Sequence, residues 1–140
     1  MIRPFTQADL PQVLEIWLQG NLDAHSFIPA SYWLDNRSLV AAQIPQAEVY
    51  VFQQQQTVDG FIGLTGGEIA GLFVRRAERG QGVGTQLLQT AQALGRPLKL
   101  SVYEKNTAAC RFYRRMGFVP HQRRVDPHAG QGEWVMTWSP

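Results

Sequence analysis

The chain has 140 residues, 44% of them hydrophobic and 17% charged, with a formal net charge of +2. That size and balance predict one globular domain over residues 1–140 with a core of its own, and they exclude a disordered chain. No apolar run approaches the about 18 residues of a membrane span, "MIRPFTQADLPQ" is no signal peptide, and the single cysteine, Cys110, excludes an internal disulfide, so a cytoplasmic protein without a membrane partner is expected.

In chain order, "MIRPF" is a short strand. Leu10, Val13, Leu14, Trp17 and Leu18 then follow the i, i+3, i+4, i+7, i+8 spacing of an amphipathic helix. Thr6 or Asp9 caps it, and Pro11, tolerated only in a first turn, favours Asp9. The aromatic stretch "HSFIPASYW" leads into a second helix ending near Ile44. "EVYVFQ" and "GFIGLT" read as paired strands around a turn-like "QQQTVDG", and "EIAGLFV" as a third. Val83, Leu87, Leu88, Ala91 and Leu94 form the apolar stripe of another helix, stopped by Gly95 and Pro97. "LKLSVY" is a strand, and "NTAACRFYRRM" a helix capped by Asn106 or Thr107 and ended at Gly117. "FVPHQRRV" and "EWVMTW" close the chain as a strand pair. The order βααβββαβαββ mixes hairpins with one βαβ crossover, which predicts a mixed sheet covered by helices.

The stretch "LFVRRAERGQGVGTQLLQ" places Gly80, Gly82 and Gly84 between arginines and a helix. Eleven of the thirteen basic residues are arginine, a residue suited to bidentate phosphate contacts, although each arginine cluster also reads as a solvated surface. A Walker loop is excluded because it needs a lysine that this stretch lacks. The dinucleotide fingerprint G-x-G-x-x-G fails because Thr85 or Leu87 stands where the third glycine belongs, and because "RRAER" separates strand from glycines where that fold turns sharply. What remains is R-x-x-G-x-G, from Arg79 to Gly84. Residues without side chains let successive backbone N–H groups converge on a pyrophosphate at a helix N-terminus, whose partial positive charge favours an anion.

On these residues the chain resembles the GNAT superfamily of acetyl-CoA-dependent N-acetyltransferases, and the resemblance has a second signature. In "SVYEKNTAACRFYRRMGF" a strand is followed by Asn106, Tyr113 and Met116-Gly117-Phe118, at the family's separation from the glycine loop. With the element order, it covers essentially the whole chain. It is closest to small bacterial members with an H-x-F-I-x-A-x-Y-W-like stretch after the first helix. The resemblance implies an α/β fold with a mixed central sheet of about six or seven strands, splayed in the middle and flanked by about four helices. The backbone of Leu72, Phe73 and Val74 would pair with the pantetheine arm of acetyl-CoA as an added strand. Amides of Arg79, Gly80, Gln81, Gly82, Val83, Gly84 and Thr85 would hold the pyrophosphate, and Asn106 would contact the pantetheine. As a plain structural feature Asn106 is a helix cap.

The same resemblance gives Tyr113 the role of general acid. An amine attacks the thioester, a backbone N–H near Val74 stabilises the oxyanion, and a phenol, protonated at neutral pH, protonates the departing thiolate. By periodicity alone Tyr113, in line with Ala109 and Met116, reads as core packing. Direct transfer in a ternary complex leaves Cys110 without a catalytic role. Glu68, at the start of the central strand, is a candidate base and equally an exposed strand-end charge. His25, Phe27, Tyr32 and Trp33 are candidates for the wall of the acceptor site or for a lid on the sheet, with His25 able to accept a proton or cap a turn. His121 and His128 have no third ligand in reach, so no metal is expected. Acetyl-CoA is the expected co-substrate, an amine the acceptor, and a monomer or homodimer the assembly. The alternative is a non-catalytic module that binds CoA or uses its arginines on a nucleic acid or protein, though a charge of +2 gives little case for nucleic acid and such a module has no need of the phenol.

Overall fold

The computed structural model describes residues 1–140. Its elements are β1 (Ile2–Pro4), α1 (Leu10–Ala24), α2 (Ala30–Gln43), β2 (Glu48–Gln54), β3 (Thr57–Thr65), β4 (Glu68–Val74), α3 (Val83–Gln92), β5 (Leu98–Tyr103), α4 (Thr107–Arg115), β6 (Val119–Val125) and β7 (Gly132–Trp138). They form one seven-stranded sheet in the order β1-β2-β3-β4-β5-β7-β6. All neighbours are antiparallel except β4 and β5, the parallel pair joined through α3.

The β4–β5 pair positions the site. Only Glu68↔Lys99 and Ile69↔Leu100 are in register, and beyond them the strands part. β5 stays fully paired with β7 from Leu98↔Trp138 to Tyr103↔Glu133, and β4 stays on β3 out to Gly60↔Val74. The sheet therefore opens along one internal seam, leaving strand backbone on both walls that a ligand can satisfy.

The helices cover both faces. On one, Val13 and Ile16 of α1 pack with Ile44, Val49, Val51, Val58 and Phe61. On the other, Val83, Leu87, Leu88 and Ala91 of α3 pack with Ile62, Leu64, Leu98, Leu100 and Met136. The α3 stripe is the predicted one, save that Leu94 lies past the helix end and is exposed. On α1 the buried set is Val13, Ile16, Gly20 and Asn21, while Leu18 is only half-buried. Gly20 is required by contact: a Cβ there would stand 2.5 Å from the Phe73 ring. Its absence lets α1 lie against the strand that borders the opening.

Two local expectations change and a third narrows to one of its alternatives. The turn after β2 is confined to Gln55, at φ 55°, and Gln56, so "TVDG" belongs to β3. Asp9 does not cap α1 with its side chain; its carboxylate takes Arg3 Nη1 and Nη2, each at 2.8 Å, and the Thr6 N–H at 2.8 Å. Asn106, not Thr107, caps α4, accepting from the Ala109 N–H at 3.3 Å. No helix is long and apolar enough to cross a membrane.

Candidate active site

Two cavities meet at the opening of the sheet. The larger, about 650 Å³, runs from Leu72, Phe73 and Val74 of β4 to the glycine loop and the start of α3, with Asn106 and Tyr113 on its opposite wall. Of the predicted cofactor residues, Arg79, Gly80, Gly82, Val83, Gly84 and Thr85 line it; Gln81 does not. The smaller, about 250 Å³, is walled by Trp17, Asn21, His25, Trp33, Tyr103 and Glu133. Leu72, Phe73, Asn106, Ala109 and Tyr113 line both.

The glycine loop has the geometry of an anion site. Gly80 and Gly82 sit at φ 79° and 83°, the left-handed region that side chains disfavour, and a Cβ on either would meet open space. The first satisfied helical amide of α3 is that of Gln86, which donates to the Gly82 carbonyl at 3.1 Å. The N–H groups of Val83, Gly84 and Thr85 therefore have no intrahelical partner and end at the groove, where the helix dipole adds positive potential. Gly84 differs from the other two, since a Cβ there would make ordinary contacts with Val74 and Phe112 at 3.6 and 3.9 Å.

The neighbouring arginines hold the loop rather than face the groove as free cations. Arg75 Nη2 donates to Asp59 Oδ1 at 2.6 Å, and the Arg75 N–H to the Asp59 carbonyl at 2.7 Å. Arg76 pairs with Asp23 of α1, as does Arg79 at 3.0 Å, and Arg79 Nε also donates to the Val74 carbonyl at 2.9 Å. The Arg76 guanidinium holds the Asp23 carboxyl at about 2, so the clamp stays charged at neutral pH. Asp59 is 2% exposed and lies in the segment that the sequence presents as a turn. Asp59→Ala is expected to cost about 1.5–3 kcal/mol of stability, the worth of charge-assisted hydrogen bonds, and to weaken acetyl-CoA binding by loosening the loop. An unchanged denaturation midpoint would show that Arg75 and Asp59 do not couple.

Tyr113 is half-buried, its ring 5.2 Å from Phe112 and 5.7 Å from Phe118. Its hydroxyl has no partner within the chain, and burial pushes its pKa up, so the phenol keeps its proton. The Tyr113 ring packs against the core cluster, as its periodicity predicts, and the residue also lines both cavities.

Beside it a hydrogen-bonded chain crosses between the cavities. Asn106 Oδ1 accepts from Ala109, so its Nδ2 donates to His25 Nε2 at 3.3 Å. Asn21 Nδ2 donates to the Trp17 carbonyl at 2.9 Å, leaving its Oδ1 to accept from His25 Nδ1 at 3.0 Å. His25 is therefore the neutral Nδ1–H tautomer with both nitrogens engaged, and burial lowers its pKa to about 4. It lines the smaller cavity and ties Asn21 to Asn106, with both ring nitrogens engaged.

The remaining acceptor candidates divide. Trp33 lines the smaller cavity, 7% exposed, and its indole N–H is buried without a partner. Phe27 and Tyr32 line neither cavity: Phe27 packs edge-on against His25 and Tyr103, each at 5.7 Å, and Tyr32 against Trp33 at 4.8 Å. Ile28, 5% exposed, is the lid component of the same segment. Glu68 stands where β4 and β5 are still paired and lines neither cavity. His121 and His128 are exposed. Residues not anticipated from sequence are Trp17, Asn21, Tyr103 and Glu133. The i, i+4 spacing of Asn21 and His25 was a usable signal for one of them.

Residues 45–120 match the family model of the acetyltransferase (GNAT) domain. The peptidyl-lysine N-acetyltransferase YiaC of Escherichia coli (strain K12) is 33% identical over 140 residues, covering 99% of this chain and 96% of the relative. This chain belongs to the GNAT acetyltransferase family. The solution structure of apo YjaB from Escherichia coli superposes on the acetyltransferase with a TM-score of 0.86 at 27% identity, over 99% of this chain and 96% of that one. The yncA acetyltransferase from Salmonella typhimurium, solved with acetyl-CoA, shares the fold at a TM-score of 0.72 and 18% identity, over 99% and 92% of the two chains. The protein is thus an acetyl-CoA-dependent N-acetyltransferase built on the splayed mixed sheet, with four helices about it.

Proposed function

We propose that this acetyltransferase moves the acetyl group of acetyl-CoA to the Nε of a lysine in a protein or peptide, by direct attack in a ternary complex, with Tyr113 as general acid. The observation that carries the reading is Tyr113 itself, which lines both cavities and has a protonated, unpartnered hydroxyl. The larger cavity takes acetyl-CoA, with the unpaired edge of Leu72, Phe73 and Val74 along the pantetheine and the amides around Gly82 on the pyrophosphate. Asn106 is both the cap of α4 and a wall of that groove. The smaller cavity takes the acceptor. Its aromatic walls and single carboxylate suit a long aliphatic side chain ending in a cation. That YiaC, similar over nearly the whole chain, is a peptidyl-lysine N-acetyltransferase supports that choice. A lone cysteine, Cys110, suits work in a reducing cytoplasm.

The test is thiol release from acetyl-CoA, with mass spectrometry of the products, across an Nα-blocked lysine peptide, a peptide with only a free N-terminus, and a polyamine. Acetylation of the lysine Nε is expected; turnover confined to the N-terminal peptide or the polyamine would reject the lysine reading. Trp33→Phe removes the unpaired indole N–H but keeps an aromatic wall. It is expected to raise the KM for the lysine peptide severalfold without changing acetyl-CoA affinity. A lowered melting temperature with an unchanged KM would make Trp33 part of the lid alone.

A further inference from the structure

We propose that Glu133, on β7, is the carboxylate that binds the acceptor ammonium and takes its first proton. The inference rests on the lysine reading above and assigns the base for it. Glu133 is the only acidic residue lining the smaller cavity, and it is 9% exposed. Its register partner is Tyr103, at the end of β5 where the sheet has already parted from β4. Oε1 accepts from Arg124 Nε at 2.8 Å, and Arg124 in turn donates to Ser101 Oγ at 2.9 Å, so the carboxylate is aimed from the β6 side. Oε2 accepts no hydrogen bond from the chain.

The other groups about the cavity are already committed. His25 has both nitrogens engaged, so it has no lone pair to offer. Tyr103 donates to Asp126 Oδ2 at 2.7 Å, and the His128 N–H donates to Asp126 Oδ1 at 2.9 Å. Tyr32 faces Asp126 and Glu133 from α2, and burial first, then those charges, keeps its phenol protonated. Glu68 lies near Arg124 rather than in the cavity. An ammonium entering a space walled by Trp17, Trp33 and Tyr103 needs a counter-charge, and Glu133, ion-paired through Oε1 with Arg124 and open at Oε2, is the carboxylate that lines it.

In the reaction, the ammonium gives one proton to Glu133 and becomes the free amine. Its lone pair forms the C–N bond to the thioester carbonyl carbon, and the C–S bond breaks as the thiolate takes the Tyr113 proton. The second nitrogen proton restores Tyr113, and the Glu133 proton passes to solvent, giving the acetyl-lysine, free CoA and one proton released.

The test is the pH dependence of kcat/KM, from pH 6 to 9.5, on the Nα-blocked lysine peptide. Wild type is expected to level off in the neutral range, because Glu133 draws on the abundant ammonium form. Glu133→Gln depends on the free amine alone, whose pKa is about 10.4. Its kcat/KM is expected to fall by about 10²-fold or more at pH 7 and to recover by roughly tenfold per pH unit toward pH 9.5. Glu133→Asp, which keeps a carboxylate, is expected to keep the wild-type profile at lower kcat, and it serves as the test if the glutamine variant does not fold. A glutamine variant with the wild-type profile, or with the same loss at every pH, overturns the assignment, as does an aspartate variant lacking the plateau. A wild-type enzyme inactive on the peptide would instead overturn the lysine reading itself.

Discussion

Tyr113→Phe is expected to lower kcat by about 10²–10⁴-fold, the usual contribution of a positioned proton donor, while leaving acetyl-CoA affinity near wild type. The separation of effects follows from the geometry. The phenylalanine ring keeps the packing against Phe112 and Phe118, so α4 and the groove wall stay in place. Nothing else in the chain is tied to the hydroxyl, so its removal leaves no orphaned partner. Only the proton for the departing thiolate is lost. Steady-state kinetics on the lysine peptide with calorimetric titration of acetyl-CoA checks both halves. A variant turning over at the wild-type rate would make Tyr113 a packing residue that happens to border two cavities.

Gly82→Val is expected to raise the Kd for acetyl-CoA by roughly 10- to 100-fold, the loss of one or two charge-assisted hydrogen bonds. Gly82 holds a left-handed φ of 83° at the cap of α3, with the groove directly over it. A β-branched residue there is strained and projects into the space where the anion would sit. Strain and occlusion separate by a control. Gly95 has a similar φ of 75° with open space around it, but it follows the other end of α3, away from both cavities. Gly95→Val carries the backbone cost without touching the groove, and its acetyl-CoA affinity should match wild type. Equal weakening in both variants would mean that the loop responds to global destabilisation, and an unchanged Kd for Gly82→Val would remove the pyrophosphate from this loop.

The predicted elements and the structure agree most closely where periodicity and capping act locally. The α3 stripe at Val83, Leu87, Leu88 and Ala91, the strands "LKLSVY" and "EWVMTW", and the stop at Gly117, φ 92°, each follow from residues within a turn or two of one another. The disagreements lie where a distant partner overrides local preference. "TVDG" looks like a turn because Asp and Gly favour one, yet Asp59 is held in β3 by Arg75, sixteen residues away. Asp9 looks like a helix cap, yet its oxygens are taken by Arg3.

The chemistry divides along the same line. The sequence by itself determined the element order and the glycine loop, because those are local patterns of spacing and backbone conformation, whereas the significance of Asn106 and Tyr113 is what the family resemblance implies. Only the tertiary structure decided which side chains stand beside them at the opening of the sheet. It keeps Glu68 at the paired end of the β4–β5 seam, outside both cavities. It locked His25 between Asn21 and Asn106, residues 81 positions apart in the latter case. It also brought Glu133, from the last strand, to the same opening as Tyr103 through strand register. A charge inside an apolar strand carries no mark of which face it will occupy or what will stand opposite. That is set when β7 inserts between β5 and β6, a long-range pairing that no short window of residues encodes.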